Sequence, residues 1–222
     1  MCGRYALTID PGDLQAAFPE FSFPAQGAPR YNIAPSQPIL ALPNDETNQA
    51  NFFVWGLIPS WAKDPSIGNR MINARAETLF EKPAFRSAYK YHRCLIFANG
   101  FFEWQAQKGV KSKVPYFIRL KSGMPFTFAG LWEHWQSPEG SEVQSATIIT
   151  TEPNELMATL HNRMPVILHS NTYTQWINPT PQSPDRLQNL LVPYPTEEME
   201  AYPVSTLVNS PGNDRAECLL PM

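Results

Sequence analysis

Apolar and polar positions along this chain alternate in short bursts rather than in long helical stripes. Runs of β-branched and aromatic residues, closed by Pro, Gly or Asn, mark strands. They are Ile39–Leu42, Asn51–Ile58, Cys94–Ala98, Phe101–Gln105, Val114–Leu120, Phe126–Trp132, Ser145–Thr150 and Pro165–Leu168. Asn99-Gly100, between two of these runs, reads as a tight turn. Helical spacing is rarer. Ala76–Tyr91 places Leu79, Phe85, Ala88 and Tyr89 at partly helical intervals and must break or kink at Pro83. Pro153–His161 sets Leu156, Met157 and Leu160 on one face behind a Thr151 cap. Ser170–Ile177 and Pro184–Leu191 open on cap-like Ser170 and Ser183. Many strands and a few helices predict an α+β fold. Its core is a curled, mostly antiparallel, barrel-like sheet with a few flanking helices, in a single domain over residues 1–222.

Composition narrows the class. Apolar residues make up 43% of the 222 and charged residues 17%, which excludes a disordered tail or a charged coiled coil. The 23 prolines favour short elements joined by extended loops over a helical bundle. No apolar run approaches the ~18 residues of a membrane span, and the N-terminus lacks a signal-peptide stretch. A cytoplasmic or nucleoid location is expected, nuclear in a eukaryote, with no membrane contact and a monomeric state. Three cysteines without a CxxC exclude a disulfide framework and a four-Cys zinc site. Cys94 opens an apolar strand and reads as core, whereas Cys218 near the tail is assigned nothing. His92, His134, His161 and His169 are scattered without ligand spacing, so no metal and no cofactor is expected. Glu133-His134 reads as a surface turn.

The net charge of −3 disfavours a bulk nucleic-acid binder. Yet from Lys63 to Arg93 seven cations stand against three carboxylates, a local +4. That stretch is either a solvated helix face or a local phosphate-binding surface.

The candidate chemistry begins at Cys2. Once Met1 is removed, its α-amine and thiol form a 1,2-aminothiol, with ordinary pKa values of about 7.7–8.0 and 8.5. Both can react near neutral pH with help from neighbours. The opening Met-Cys-Gly resembles that of class II glutamine amidotransferases, and Asn99-Gly100 resembles their oxyanion Asn-Gly. Their substrate-carboxylate motif is missing. An N-terminal-Cys amidohydrolase is one alternative, and a non-catalytic single-stranded-DNA binding module is another.

A second resemblance covers the chain from residue 2 to its end. Met1-Cys2-Gly3-Arg4-Tyr5, Arg30-Tyr31-Asn32-Ile33-Ala34-Pro35, Trp55-Gly56-Leu57-Ile58-Pro59-Ser60-Trp61 and Ile72-Asn73-Ala74-Arg75-Ala76-Glu77-Thr78 occur in order. Gly100-Phe101-Phe102-Glu103-Trp104, His161-Asn162-Arg163-Met164-Pro165-Val166-Ile167-Leu168, Val204-Ser205 and Val208-Asn209 follow. Together these resemble the SRAP family of abasic-site processing, or SOS-response-associated peptidase, proteins. The resemblance implies covalent capture of abasic sites in single-stranded DNA through Cys2. It also implies autoproteolytic release of Met1, a step that an aminopeptidase can equally perform, and possible peptidase and lyase activities. Cys2, Asn73, Glu103 and His161 match the family's catalytic positions. Glu103 is expected to move protons at the amine and carbinolamine, and His161 to protonate the sugar oxygen, although the two roles are interchangeable on the sequence. Phe101, Phe102 and Trp104 are expected to bury Glu103. Arg4, Arg75, Arg86 and Arg163 are expected to contact phosphates. Pro35, Trp61 and Trp104 would supply an apolar edge for stacking, while Trp55 and Trp132 read as core. A replication-associated protein partner is compatible with the resemblance but not readable from the residues. The family pattern favours Asp where Asn99 and Asn162 stand; each change removes a negative charge beside a candidate catalytic residue.

Overall fold

The structure is a computed structural model and describes residues 2–107, 109 and 112–222. Along the chain lie β1 (Tyr5–Leu7), α1 (Pro11–Ala17), β2 (Arg30–Ile33), β3 (Pro38–Pro43), β4 (Asn51–Trp55), β5 (Asn73–Arg75) and α2 (Arg86–Tyr91). They are followed by β6 (Arg93–Ala98), β7 (Gly100–Ala106), β8 (Lys113–Leu120), β9 (Phe126–Gln136) and β10 (Glu142–Thr151). The remainder comprises α3 (Glu155–Ala158), β11 (Met164–Pro165), β12 (Ile167–Leu168), α4 (Tyr173–Trp176), α5 (Pro184–Gln188) and β13 (Met199–Pro203). Short 3-10 turns join several of them.

Two sheets carry the fold. One is antiparallel, in the order β13-β8-β7-β1-β2. In the other, β10, β4, β3, β6 and β9 pair in a ring that closes when β9 returns to β10, making a five-stranded barrel. Only the β10–β4 step of that ring is parallel. β5 extends β10 in parallel, and β11 and β12 add antiparallel edges to β10 and β9. The mixed architecture and its barrel agree with the fold class expected from the strand pattern.

Strand alternation decides which residues fill the barrel. On β1 and β7, Tyr5 and Phe101 join the main core, where Tyr5 meets Trp55 and Phe128 edge-on at 5.3 and 5.8 Å. Their neighbours Ala6 and Phe102 join a second cluster with Phe117, Val204, Val208 and Cys218. Cys218 is fully buried there and donates to the Asn213 carbonyl at 3.1 Å, so it is a packing residue. A Cβ on Gly100 would stand 2.1 Å from the Phe117 ring, which makes glycine necessary where the two strands close up.

Some sequence expectations shift. Asn99 is not a hairpin turn: the chain bends there and leaves the barrel strand β6 for β7 in the other sheet. The Asn99 amide accepts from Thr8 N at 2.9 Å and donates to Thr8 Oγ1 at 2.8 Å, tying the bend to the end of β1. Glu133 is no surface turn; it lies on β9, 4% exposed, 3.6 Å from His92. The helical run expected over Ala76–Tyr91 does break around Pro83, but its first part is only a 3-10 turn at Ala76–Thr78, and α2 follows the break. Asn154, not Thr151, caps α3 by accepting from Met157 N at 2.9 Å, because Thr151 is still paired in β10. Ser170 falls inside a 3-10 turn rather than capping one. The run Pro165–Leu168 is split between β11 and β12, which pair with different strands. Trp55 is fully buried, and Trp132 is half-buried against the same core.

Candidate active site

Register brings the first residues to Glu103. β1 pairs with β7 at Tyr5–Phe101 and Ala6–Gly100, and Phe102 N donates to the Arg4 carbonyl at 2.9 Å. Continuing that ladder outward sets Cys2 and Gly3 alongside Glu103 and Trp104. Cys2 is fully buried and Glu103 is 3% exposed, as its apolar neighbours imply. Burial, then the Glu103 carboxylate, pushes the Cys2 thiol far above its ordinary pKa, against a hydrogen bond from the Arg4 backbone. The thiol is therefore a neutral S–H at physiological pH. Burial, and secondarily Cys2, also raises the pKa of the Tyr5 phenol, whose buried hydroxyl has no hydrogen-bond partner among the described residues.

Asn73 comes from the other sheet. β5 lies along β10 with Asn73 opposite Ile148, and the Asn73 amide donates to the Cys2 carbonyl at 2.8 Å. That bond fixes the Cys2 backbone from the second sheet. The turn carrying His161 follows α3 and leads into β11. Gln105, two residues beyond Glu103 on β7, donates to the Thr159 carbonyl at 2.9 Å and ties that turn to the Glu103 strand. The His161 Nδ1 accepts from Arg163 N at 3.0 Å. Cys2, Asn73 and Glu103 are thus brought together by β1, β5 and β7, and the turn carrying His161 is tied to the Glu103 strand.

The expected phosphate ligands divide into two groups. Arg75 and Arg86 are exposed. Arg4 turns inward, donating to Asn32 Oδ1 at 2.7 Å and the Val208 carbonyl at 2.6 Å, with its guanidinium 5.8 Å from the Trp104 ring centre. Arg163 is 15% exposed and forms a two-pronged pair with Glu77. Arg93, counted in the cationic stretch, is fully buried and donates to the carbonyls of Tyr89, Lys90, Trp176 and Asn178, so the local positive surface is weaker than the sequence suggests.

Trp61 is 60% exposed and Pro35 half-buried. Their loops are joined by Ser36 Oγ and Asn69 Oδ1 at 3.0 Å, with Ser36 at φ 68°. Two glycines allow the close approach beneath them. A Cβ on Gly56 (φ 130°) would fall 2.5 Å from the Gly68 carbonyl oxygen, and one on Gly68 would fall 2.7 Å from that of Gly56. Trp104 is half-buried and donates from Nε1 to Asn209 Oδ1 at 2.7 Å.

Among the described residues no group of three or more His, Cys, Asp or Glu is arranged to hold a metal ion, and no helix is long and apolar enough to cross a membrane. An apolar cavity of about 450 Å³ between Leu7, Leu14, Phe23, Leu40 and Phe52 includes none of the reactive candidates. Residues that the sequence reading passed over are Tyr5, Glu77 and Gln105. Glu77 stood inside a recognised motif, but nothing in the sequence pairs it with Arg163.

The model of the SOS response associated peptidase (SRAP) family matches residues 1–211. This chain belongs to the SRAP family. It is 50% identical over 226 residues to the abasic site processing protein YoaM of Bacillus subtilis, covering 99% of this chain and 97% of that protein. It is 31% identical to the abasic site processing protein HMCES of Gallus gallus, covering all of this chain and 78% of its relative. A crystal structure of a protein from Bacteroides thetaiotaomicron superposes with a TM-score of 0.88 at 27% identity over the full length of both chains. The SRAP assignment thus spans both sheets and every strand that delivers a reactive candidate.

Proposed function

We propose that this SRAP chain captures abasic sites in single-stranded DNA as a covalent thiazolidine on Cys2. Its relatives are abasic site processing proteins, which supports the substrate class. The observation that carries the chemistry is the convergence of Cys2, Asn73 and Glu103, with the His161 turn tied to the same strand.

Hydrolysis of the Met1–Cys2 peptide bond frees the Cys2 amine. The amine adds to the C1′ aldehyde of the ring-opened sugar, giving a carbinolamine that loses one water to form an imine. The Cys2 S–H then adds across the C=N bond: sulfur bonds to C1′ and the proton goes to nitrogen. One water leaves overall and nothing is oxidised or reduced. The buried thiol is protonated, so the amine attacks first and ring closure needs a base beside the sulfur. Glu103 is that base, having relayed protons at the carbinolamine. His161 accepts at Nδ1, so the ring carries its proton on Nε2 and can hydrogen-bond from there to the sugar oxygen; as the ring opens, that oxygen takes up the proton that the C1′ hydroxyl releases. Closing an intramolecular five-membered ring is favoured by the tethered thiol's high effective concentration. It also removes the imine through which β-elimination would cut the strand.

Arg75 and Arg86 are the exposed cations offered to phosphates, and Trp61 with Pro35 forms an apolar edge where a base is missing. The test is a denaturing gel of Met1-free protein with single-stranded DNA carrying one abasic site. A shifted band is expected with wild type alone, absent with Cys2→Ala and with undamaged DNA. Glutamine or amide hydrolysis without any DNA adduct would move the assignment to an amidohydrolase. Reversible binding indifferent to Cys2→Ala would move it to a binding module.

A further inference from the structure

One set of contacts at the site takes no part in the chemistry above. The Arg163 guanidinium is held by its neighbours: Nη1 and Nη2 donate to the two Glu77 carboxylate oxygens at 2.6 and 3.0 Å, and Nη2 also donates to the Thr150 carbonyl at 2.6 Å. Planar two-pronged pairing of this kind fixes orientation as well as charge. Thr150 is on β10, opposite Arg75 of β5 and Pro165 of β11. Glu77 follows β5 in a 3-10 turn. The Arg163 side chain therefore spans β5, β10 and the turn before β11. Its own backbone N–H is the group that donates to His161 Nδ1. From the other side, the His161 N–H donates to the Met157 carbonyl at 2.8 Å. Burial works against the Glu77 anion, but the Arg163 hydrogen bond and the neighbouring positive charges outweigh it and hold its carboxyl below the usual carboxylate range. The pair is thus ionised wherever the capture chemistry runs.

We propose that Glu77 and Arg163 are positioning residues for His161: their ion pair clamps the 161–163 turn so that the imidazole enters the site in the single tautomer with its proton on Nε2. The inference rests on the capture reaction proposed above, in which that N–H is hydrogen-bonded to the sugar oxygen. It gives Glu77 a role and makes the Arg163 side chain part of the support of His161.

The competing assignment has the opposite sign. If Arg163 were chiefly a phosphate ligand, Glu77 would compete with DNA, and removing the carboxylate would tighten binding and speed capture. The experiment compares wild type, Glu77→Gln and Glu77→Ala in three readouts: ring nitrogen NMR of His161, affinity for undamaged single-stranded DNA, and the single-turnover cross-linking rate at saturating abasic DNA. Glu77 is half exposed, so the variants should fold, and melting temperatures taken on the same samples check that. Glu77→Ala should lose the uniform Nε2–H signature and cross-link at least about tenfold more slowly, without tighter DNA binding, as expected when a hydrogen-bond donor to the reacting sugar is misplaced. Glu77→Gln, which keeps one acceptor oxygen, should fall between. Unchanged ring shifts and an unchanged rate in Glu77→Ala would overturn the inference, as would tighter binding with faster capture. Absence of any cross-link with wild type would instead count against the capture reaction, while the ring shifts would still decide whether Glu77 positions His161.

Discussion

Replacing Asn73 by Ala removes one hydrogen bond that links the two sheets at Cys2, the proposed nucleophile. The Asn73 amide donates to the Cys2 carbonyl at 2.8 Å, and Cys2 is fully buried. Deleting the donor leaves that carbonyl without its partner, at a cost of roughly 1–3 kcal/mol. The folded chain can recover this only by letting residues 2–4 lift from β7, which takes the amine and thiol away from Glu103. Capture then proceeds from the fraction still seated, and roughly 1–3 kcal/mol corresponds to about 5- to 150-fold in rate. The assay is single-turnover cross-linking at saturating abasic DNA, with affinity for undamaged DNA measured in parallel. The rate should fall within that range while affinity stays near wild type, because Asn73 touches the nucleophile and not the proposed phosphate track. Asn73→Asp should be at least as slow near neutral pH, since a carboxylate presents only acceptors to the carbonyl. A wild-type rate for Asn73→Ala, with an unchanged melting temperature, would refute the idea that this bond seats Cys2.

Three further outcomes follow from the same geometry. Glu103→Gln removes one cause of the raised Cys2 pKa, and each unit of pKa is a tenfold change in thiolate. Burial is the larger cause, so alkylation of Cys2 at pH 8 should quicken only about threefold, while cross-linking slows; slower alkylation would show that the carboxylate does not raise the thiol. Gly56→Ala should lower stability by at least about 2 kcal/mol in denaturant titration, because both its positive φ and the nearby Gly68 carbonyl resist a Cβ; an unchanged midpoint would contradict the close approach. Arg75→Ala should reduce the slope of log affinity against log salt by about 0.7, whereas Trp61→Ala should weaken binding without altering that slope, and the reverse pattern would misplace both residues.

Strands with clear alternation were legible in the sequence, and so was the barrel-like class they imply. The shortest strands were not. Tyr5–Leu7 and Asn73–Arg75 are three residues long, too brief to show a period, and both are held by neighbours distant in sequence. α1 was missed although Asp10-Pro11 announces it: the Asp10 carboxylate accepts from Gly12 N and Asp13 N at 2.8 and 3.0 Å. At the site, the family resemblance pointed to Cys2, Asn73, Glu103 and His161; Asn73 reaches Cys2 by a hydrogen bond and Glu103 by its charge, at one sheet junction. What a sequence does not show is where a charge spends itself. Arg4, Arg93 and Arg163 read as surface cations, yet their partners are Val208, Trp176 and Glu77, each far along the chain. Pairing of that kind is fixed by tertiary contact and leaves no local pattern.

The account turns on whether the bond to DNA uses both the nitrogen and the sulfur of Cys2. Intact mass of the purified cross-link, denatured and treated with excess iodoacetamide, reads this directly. The chain has three cysteines. A thiazolidine predicts the mass of Met1-free protein plus DNA less one water, carrying two carbamidomethyl groups, on Cys94 and Cys218. Three carbamidomethyl groups, or retention of Met1 in the adduct, would contradict the mechanism.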